Sequence, residues 1–92
     1  MGLRRASFVL LGACVLAGCA GEATTQCTTE PRSAWQDADA FRQGLQEEGY
    51  RINEFKVTDG NCYEIYGFDA EGTKVEIYFD PVDGSVVKRE EG

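Results

Sequence analysis

The chain has 92 residues, with 9 basic residues against 16 acidic ones, no histidine and a formal net charge of −7. That length suits one small domain. So negative a surface repels nucleic acid and anionic lipid headgroups, which argues against both as partners.

At the N-terminus, Arg4 and Arg5 precede an almost purely apolar run from Phe8 to Leu16, followed by the small residues Ala17 and Gly18. This order marks a secretory signal over residues 1–18, and the apolar part is too short to span a bilayer. The run ends in Leu16-Ala17-Gly18-Cys19, which resembles the lipobox of bacterial lipoproteins. The resemblance implies that the Cys19 thiol takes a diacylglycerol, that the chain is cut before it, and that the new amino group is acylated. A plain secretory signal with a chance cysteine is the weaker reading, and the residues after Arg4-Arg5 fit a twin-arginine route poorly. No second apolar run follows, so the lipid is the expected membrane attachment. Ala20 and Gly21 come next, with no aspartate at the second position to hold a lipoprotein at an inner membrane. The resemblance therefore implies the outer membrane, periplasmic side, in a two-membrane cell. In a single-membrane cell it implies the outside of the plasma membrane.

Cut before Cys19, the chain keeps about 74 residues and a net charge of about −9, a marginal size for a hydrophobic core. Residues 19–31 are small, polar and without periodicity, as in a flexible tether. Of the four cysteines, Cys14 leaves with the signal and Cys19 takes the lipid. Cys27 and Cys62 remain in an oxidising compartment, where an even remainder reads as a disulfide. Two cysteines without histidine make a poor zinc set. The bridge would pin the second half of the tether to the domain.

The domain is expected over residues 32–92. "SAWQDADAFRQGLQEEGY" reads as one helix, capped by Asp37 or by Ser33 in a capping box with Gln36. Trp35, Ala38, Phe41 and Leu45 recur on one face, Gly49 ends the helix, and Gly44 suggests a close approach to a sheet. After Tyr50 the period changes to two. "YRINEFKV", "CYEIYGFD", "KVEIYF" and "SVVK" read as four short strands. They are joined by "TDGN", "DAEG" and "DPVDG", tight turns with glycine where positive φ is needed. The first strand changes phase between Ile52 and Phe55, which predicts a bulge near Asn53-Glu54. The fold class is α+β: one N-terminal helix on one face of a four-stranded antiparallel meander. Its predicted core is Trp35, Phe41, Leu45, Ile52, Tyr63, Ile65, Val75, Ile77 and Phe79. The opposite, open face would carry Tyr66, Phe68 and Tyr78 among Glu64, Lys74 and Glu76.

Gly49-Tyr50, Tyr63-Glu64, Asp69 with Gly72, Glu76, and Asp80-Pro81 with Gly84 together resemble the PepSY domain of small exported bacterial proteins. The resemblance covers about residues 34–88, and its motifs specify fold better than activity. It implies an inhibitory or protease-regulating role. With no peptidase domain after "KREEG", that role is expected in trans.

An enzyme needs a nucleophile or a tuned acid and base. The chain has no histidine, its mature cysteines are expected to be oxidised or lipidated, and no serine lies beside a base. The strand pattern allows Glu64 and Glu76 to face each other across neighbouring strands, but among lysines they read as a solvated face. No catalytic residue and no cofactor are expected. Asp69, Glu71, Asp80 and Asp83 lack the alternating ligands of a calcium loop and read as turn residues, so no metal is expected.

Two readings follow. In the first, Tyr66, Phe68, Tyr78, Glu64 and Glu76 form a face that docks an envelope protein, a restrained protease among the candidates; an edge strand accepting an extended peptide is a variant of it. In the second, the aromatics only brace the sheet, and the protein is a structural envelope lipoprotein without a specific partner.

Overall fold

The helix begins where Asp37 can cap it. In a computed structural model of the chain, which describes residues 24–92, α1 runs Ala38–Glu47, and the Asp37 Oδ2 accepts the Ala40 N–H at 3.0 Å. The expected signal over 1–18, Cys19 and the first part of the tether lie outside the described residues. The expectation of one helix from Ser33 is corrected. Arg32–Ala34 forms a separate 3-10 turn without a side-chain cap, and Trp35 is extended. The local capping signal of Ser33 and Gln36 loses to bonds with a distant turn and with Tyr63. Gln36 donates its backbone N–H to Pro81 O at 2.8 Å and its Nε2 to Val82 O at 3.2 Å, while its carbonyl accepts the Tyr63 hydroxyl at 2.5 Å. At the other end Gly49 is left-handed, with Tyr50 N–H on Leu45 O and Gly49 N–H on Gln46 O, the paired bonds of a Schellman stop.

Gly44 does not mark a close approach. A Cβ built there meets nothing within 4 Å, so the glycine only weakens the helix. Gly44→Ala is expected to raise stability by about 0.5–1 kcal/mol in urea unfolding. A loss instead would mean that the helix needs its freedom at that position.

The strands β1 (Arg51–Val57), β2 (Tyr63–Phe68), β3 (Lys74–Phe79) and β4 (Val86–Glu91) form one antiparallel sheet in the order β1-β2-β3-β4. Among the described residues the fold is therefore α+β, one α-helix with a four-stranded meander. Pairing shifts between Ile52 and Glu54, so the bulge falls where the phase change predicts it. The bulge explains Gly67: an added Cβ would collide with the Arg51 carbonyl oxygen. In the first turn Asn61, not Gly60, takes the positive φ, at 63°. β4 runs beyond the expected Lys88 to Glu91 and is exposed along its whole length; a second register shift sets Val86 against Phe79 and Lys88 against Tyr78.

Leu45, Tyr63, Ile65, Val75, Ile77 and Phe79 form the buried core, with Trp35, Ala38, Phe41, Tyr50, Ile52 and Phe55 packed against it. All nine predicted positions belong to this cluster. Phe55 was missed because the bulge returns it to the helix side. There it stacks near Phe41 and Tyr63, with ring centroids 6.4 and 5.2 Å away.

A disulfide joins Cys27 to Cys62, with Cα atoms 5.0 Å apart. The preceding segment lies against the β1–β2 turn. Cys27 N–H bonds Gly60 O at 3.0 Å and Asn61 Nδ2 bonds Thr28 O at 3.4 Å.

Candidate functional site

Strand alternation sends every second side chain to the face opposite α1. The register then sets them in cross-strand rows: Lys56, Glu64, Tyr78 and Lys88; Glu54, Tyr66, Glu76 and Glu90; Arg51, Phe68 and Lys74. All five sequence-predicted residues, Tyr66, Phe68, Tyr78, Glu64 and Glu76, thus share the open face. They are not equally presented. Tyr66 is 38% exposed, Phe68, Glu76 and Tyr78 are half-buried, and Glu64 is only 3% exposed. The solvated-face reading of Glu64 is corrected.

Long basic side chains lie down over the aromatic rings. Lys56 Nζ is 5.4 Å from the Tyr66 ring centre, Lys88 Nζ is 5.7 Å from that of Tyr78, and the Arg51 guanidinium is 4.6 Å from that of Phe68. Such cations gain from the ring quadrupole while keeping their charge near water. The sequence signal for this cover was the placing of Lys56, Lys88 and Arg51 on neighbouring strands, and it can be read only once the register is known.

Hydrogen bonding couples the polar residues of the face. The Tyr78 hydroxyl donates to Glu76 Oε2 at 3.0 Å. Burial, then that bond, pushes Tyr78 up to about 12. The Glu76 carboxylate beside Tyr66 raises that phenol too. Burial raises Glu64 above the usual carboxyl range, whereas Glu76 is lowered, first by its contact with Glu64. A Tyr–Glu surface ringed by cations suits contact with a polypeptide. The deep placing of Glu64 keeps it from meeting a substrate directly.

The turn carboxylates shape their own loops. Asp69 Oδ1 accepts the N–H groups of Glu71 at 3.0 Å and Thr73 at 2.9 Å. Its Oδ2 receives Arg89 Nη2 at 2.6 Å, a tie from β4 to the β2–β3 turn that sequence reasoning missed. The Arg89 guanidinium holds Asp69 below the ordinary range. Asp80 accepts the Val82 N–H at 2.8 Å, and Asp83 the Ser85 N–H at 2.9 Å. Glu71 is exposed beside the turn. Among the described residues no group of three or more histidine, cysteine or acidic side chains is placed to hold a metal ion, and no helix is long and apolar enough to cross a membrane.

The positions that carry the family resemblance fall on this frame. Gly49-Tyr50 closes α1, Tyr63-Glu64 opens β2, Glu76 is central in β3, and the pairs Asp69 with Gly72 and Asp80 with Gly84 build the next two turns. Compared with curated proteins and with solved structures, the chain finds no match in either. A family model described as "Peptidase propeptide and YPEB domain" matches residues 6–90. With nearly its whole length matched, the chain belongs to the PepSY family of peptidase propeptide and YPEB domains.

Proposed function

We propose that this protein is a non-catalytic binding module that docks a protein partner on the open face of its sheet, and that the partner is an envelope protease restrained in trans. The observation that carries this reading is the aromatic surface of Tyr66, Phe68 and Tyr78 on the face opposite α1. The family, named for peptidase propeptides, supplies the class of partner. Aromatic side chains on a rigid sheet bring large contact area at small entropic cost, as hot-spot residues do. The lipobox-like end adds a lipid at Cys19 and a place at the outer membrane, on the periplasmic side, so the module would meet its partner at a surface.

The test is photo-crosslinking in the native envelope, with a reactive residue in place of Tyr66 or Tyr78. One dominant adduct, a peptidase by mass, is expected at both positions and absent at Gln43, an exposed position on α1. Equal labelling at all three positions would sink the docking face. The protein would then be a structural lipoprotein whose tyrosines only brace the sheet.

A further inference from the structure

The register places Glu64 opposite Tyr78 and Tyr66 opposite Glu76. The two carboxyl groups therefore occupy diagonal corners of a rectangle whose other corners are tyrosines. Diagonal neighbours on one face of a sheet lie about 7–8 Å apart at their backbones, which two glutamate side chains easily span. Glu64 is 3% exposed, and its Oε2 is buried with no hydrogen-bond partner among the described residues. The Tyr78 hydroxyl does not supply one, because it is committed to Glu76 Oε2, and the Tyr66 phenol, which lies against both carboxyl groups, leaves this oxygen unpartnered.

The charged groups around this pair do not neutralise it. From β1 come Lys56 and Glu54, with the Lys56 Nζ 3.8 Å from Glu54. From β4 come Lys88 and Glu90, with the Lys88 Nζ 3.4 Å from Glu90. Each lysine is thus engaged by another carboxylate. Asp59 joins Lys56, Lys88, Tyr78 and Glu64 around a neighbouring hollow, and Arg51 and Lys74 stand one row beyond Tyr66 and Glu76. Two adjacent carboxylates, one of them out of water, cannot both ionise cheaply. A proton on Glu64 turns its orphan oxygen into a donor and gives Glu76 a second hydrogen bond.

We propose that Glu64 and Glu76 hold a single proton between them, and that its release to solvent at rising pH loosens the tyrosine cover of the open face. The site exists whether or not a partner docks. Glu64 and Glu76 are displaced in opposite directions from the ordinary range, as a one-proton pair requires. The stability that protonated Glu64 contributes is full below the ordinary glutamate value and is lost as pH rises through its raised one. The contribution of ionised Glu76 is present above the ordinary value and is lost as pH falls through its lowered one. Between those limits the pair is most stable. Above them, two carboxylates repel each other beneath Tyr66 and Tyr78.

The test is carbon NMR titration of the glutamate carboxyls in the full chain, in neutral detergent with the disulfide intact. Glu64 and Glu76 are expected to titrate in two steps more than about one pH unit apart, with Glu64 as the upper step. The ring signals of Tyr66 and Tyr78 should shift with that upper step. A single step for both near the ordinary value of about 4.3 overturns the proposal. In Glu64→Gln the amide can donate to Glu76 and has no proton to lose. Its thermal midpoint is expected to stay flat where that of the unmodified chain falls, and Glu47→Gln, at an exposed position on α1, should retain the fall. An unchanged fall in Glu64→Gln also overturns the proposal. Should that variant not fold, Glu76→Gln is expected to move the Glu64 step down towards the ordinary range, and an unmoved step counts against the shared proton.

Discussion

Reduction of the Cys27–Cys62 disulfide is expected to cost the domain about 3–4 kcal/mol, the loop-closure entropy of a ring of this size. The two cysteines are 35 residues apart, and the ring they close holds α1 and β1. A domain this small has a total stability of about 5 kcal/mol or slightly more, so most of it rests on one bond. Reduction also frees the stretch around Cys27 and Thr28, whose bonds to Gly60 and Asn61 are too few to keep it in place. Urea unfolding with and without reductant measures the loss. Cys27→Ala should reproduce it better than Cys62→Ala, because Cys62 is fully buried and its truncation adds a cavity. A shift below about 1 kcal/mol would mean that the unfolded chain is already as restricted as the bond would make it.

The second large effect belongs to Ile77. It is fully buried, pairs on β3 with Ile65 of β2, and belongs to the core on the helix side of the sheet. Ile77→Ala removes three carbons from a site with packed neighbours, and a cost of about 2–5 kcal/mol is expected. Ile77→Leu keeps the volume and should cost less than about 1.5 kcal/mol. Val87→Ala, at a position 43% exposed on the outer strand, should stay within about 0.5 kcal/mol. Equal losses at Ile77 and Val87 would show that the sheet is not organised around this centre.

What the sequence made legible was the part governed by period. The alternation in β2 and β3 assigned Tyr63, Ile65, Val75, Ile77 and Phe79 to one face, and the phase change between Ile52 and Phe55 located the bulge. What it hid was set by contacts distant in the chain. Ser33 and Gln36 carry a sound local capping signal, yet Pro81 and Val82, more than forty residues on, take the bonds of Gln36. The same limit applies to the open face. Alternation places Glu64 there correctly, but a face turned away from the helix is not thereby wet. Tyr66, Tyr78 and the stems of Lys56 and Lys88 close over Glu64 only because four strands lie in this register. Arg89 and Asp69 likewise meet only through the last hairpin.

The disulfide also decides how the domain would bear a load. A pull applied upstream of Cys27 passes through the sulfur bridge to Cys62 and enters the sheet at the head of β2, an interior strand bonded on both sides. The covalent path bypasses α1 and β1, which lie slack within the closed ring. Tension from the N-terminal side therefore cannot draw the helix off the core first, as it would in a chain without the bridge. It must act on the two ladders that flank β2, and the open face is tethered at the strand that carries Tyr66.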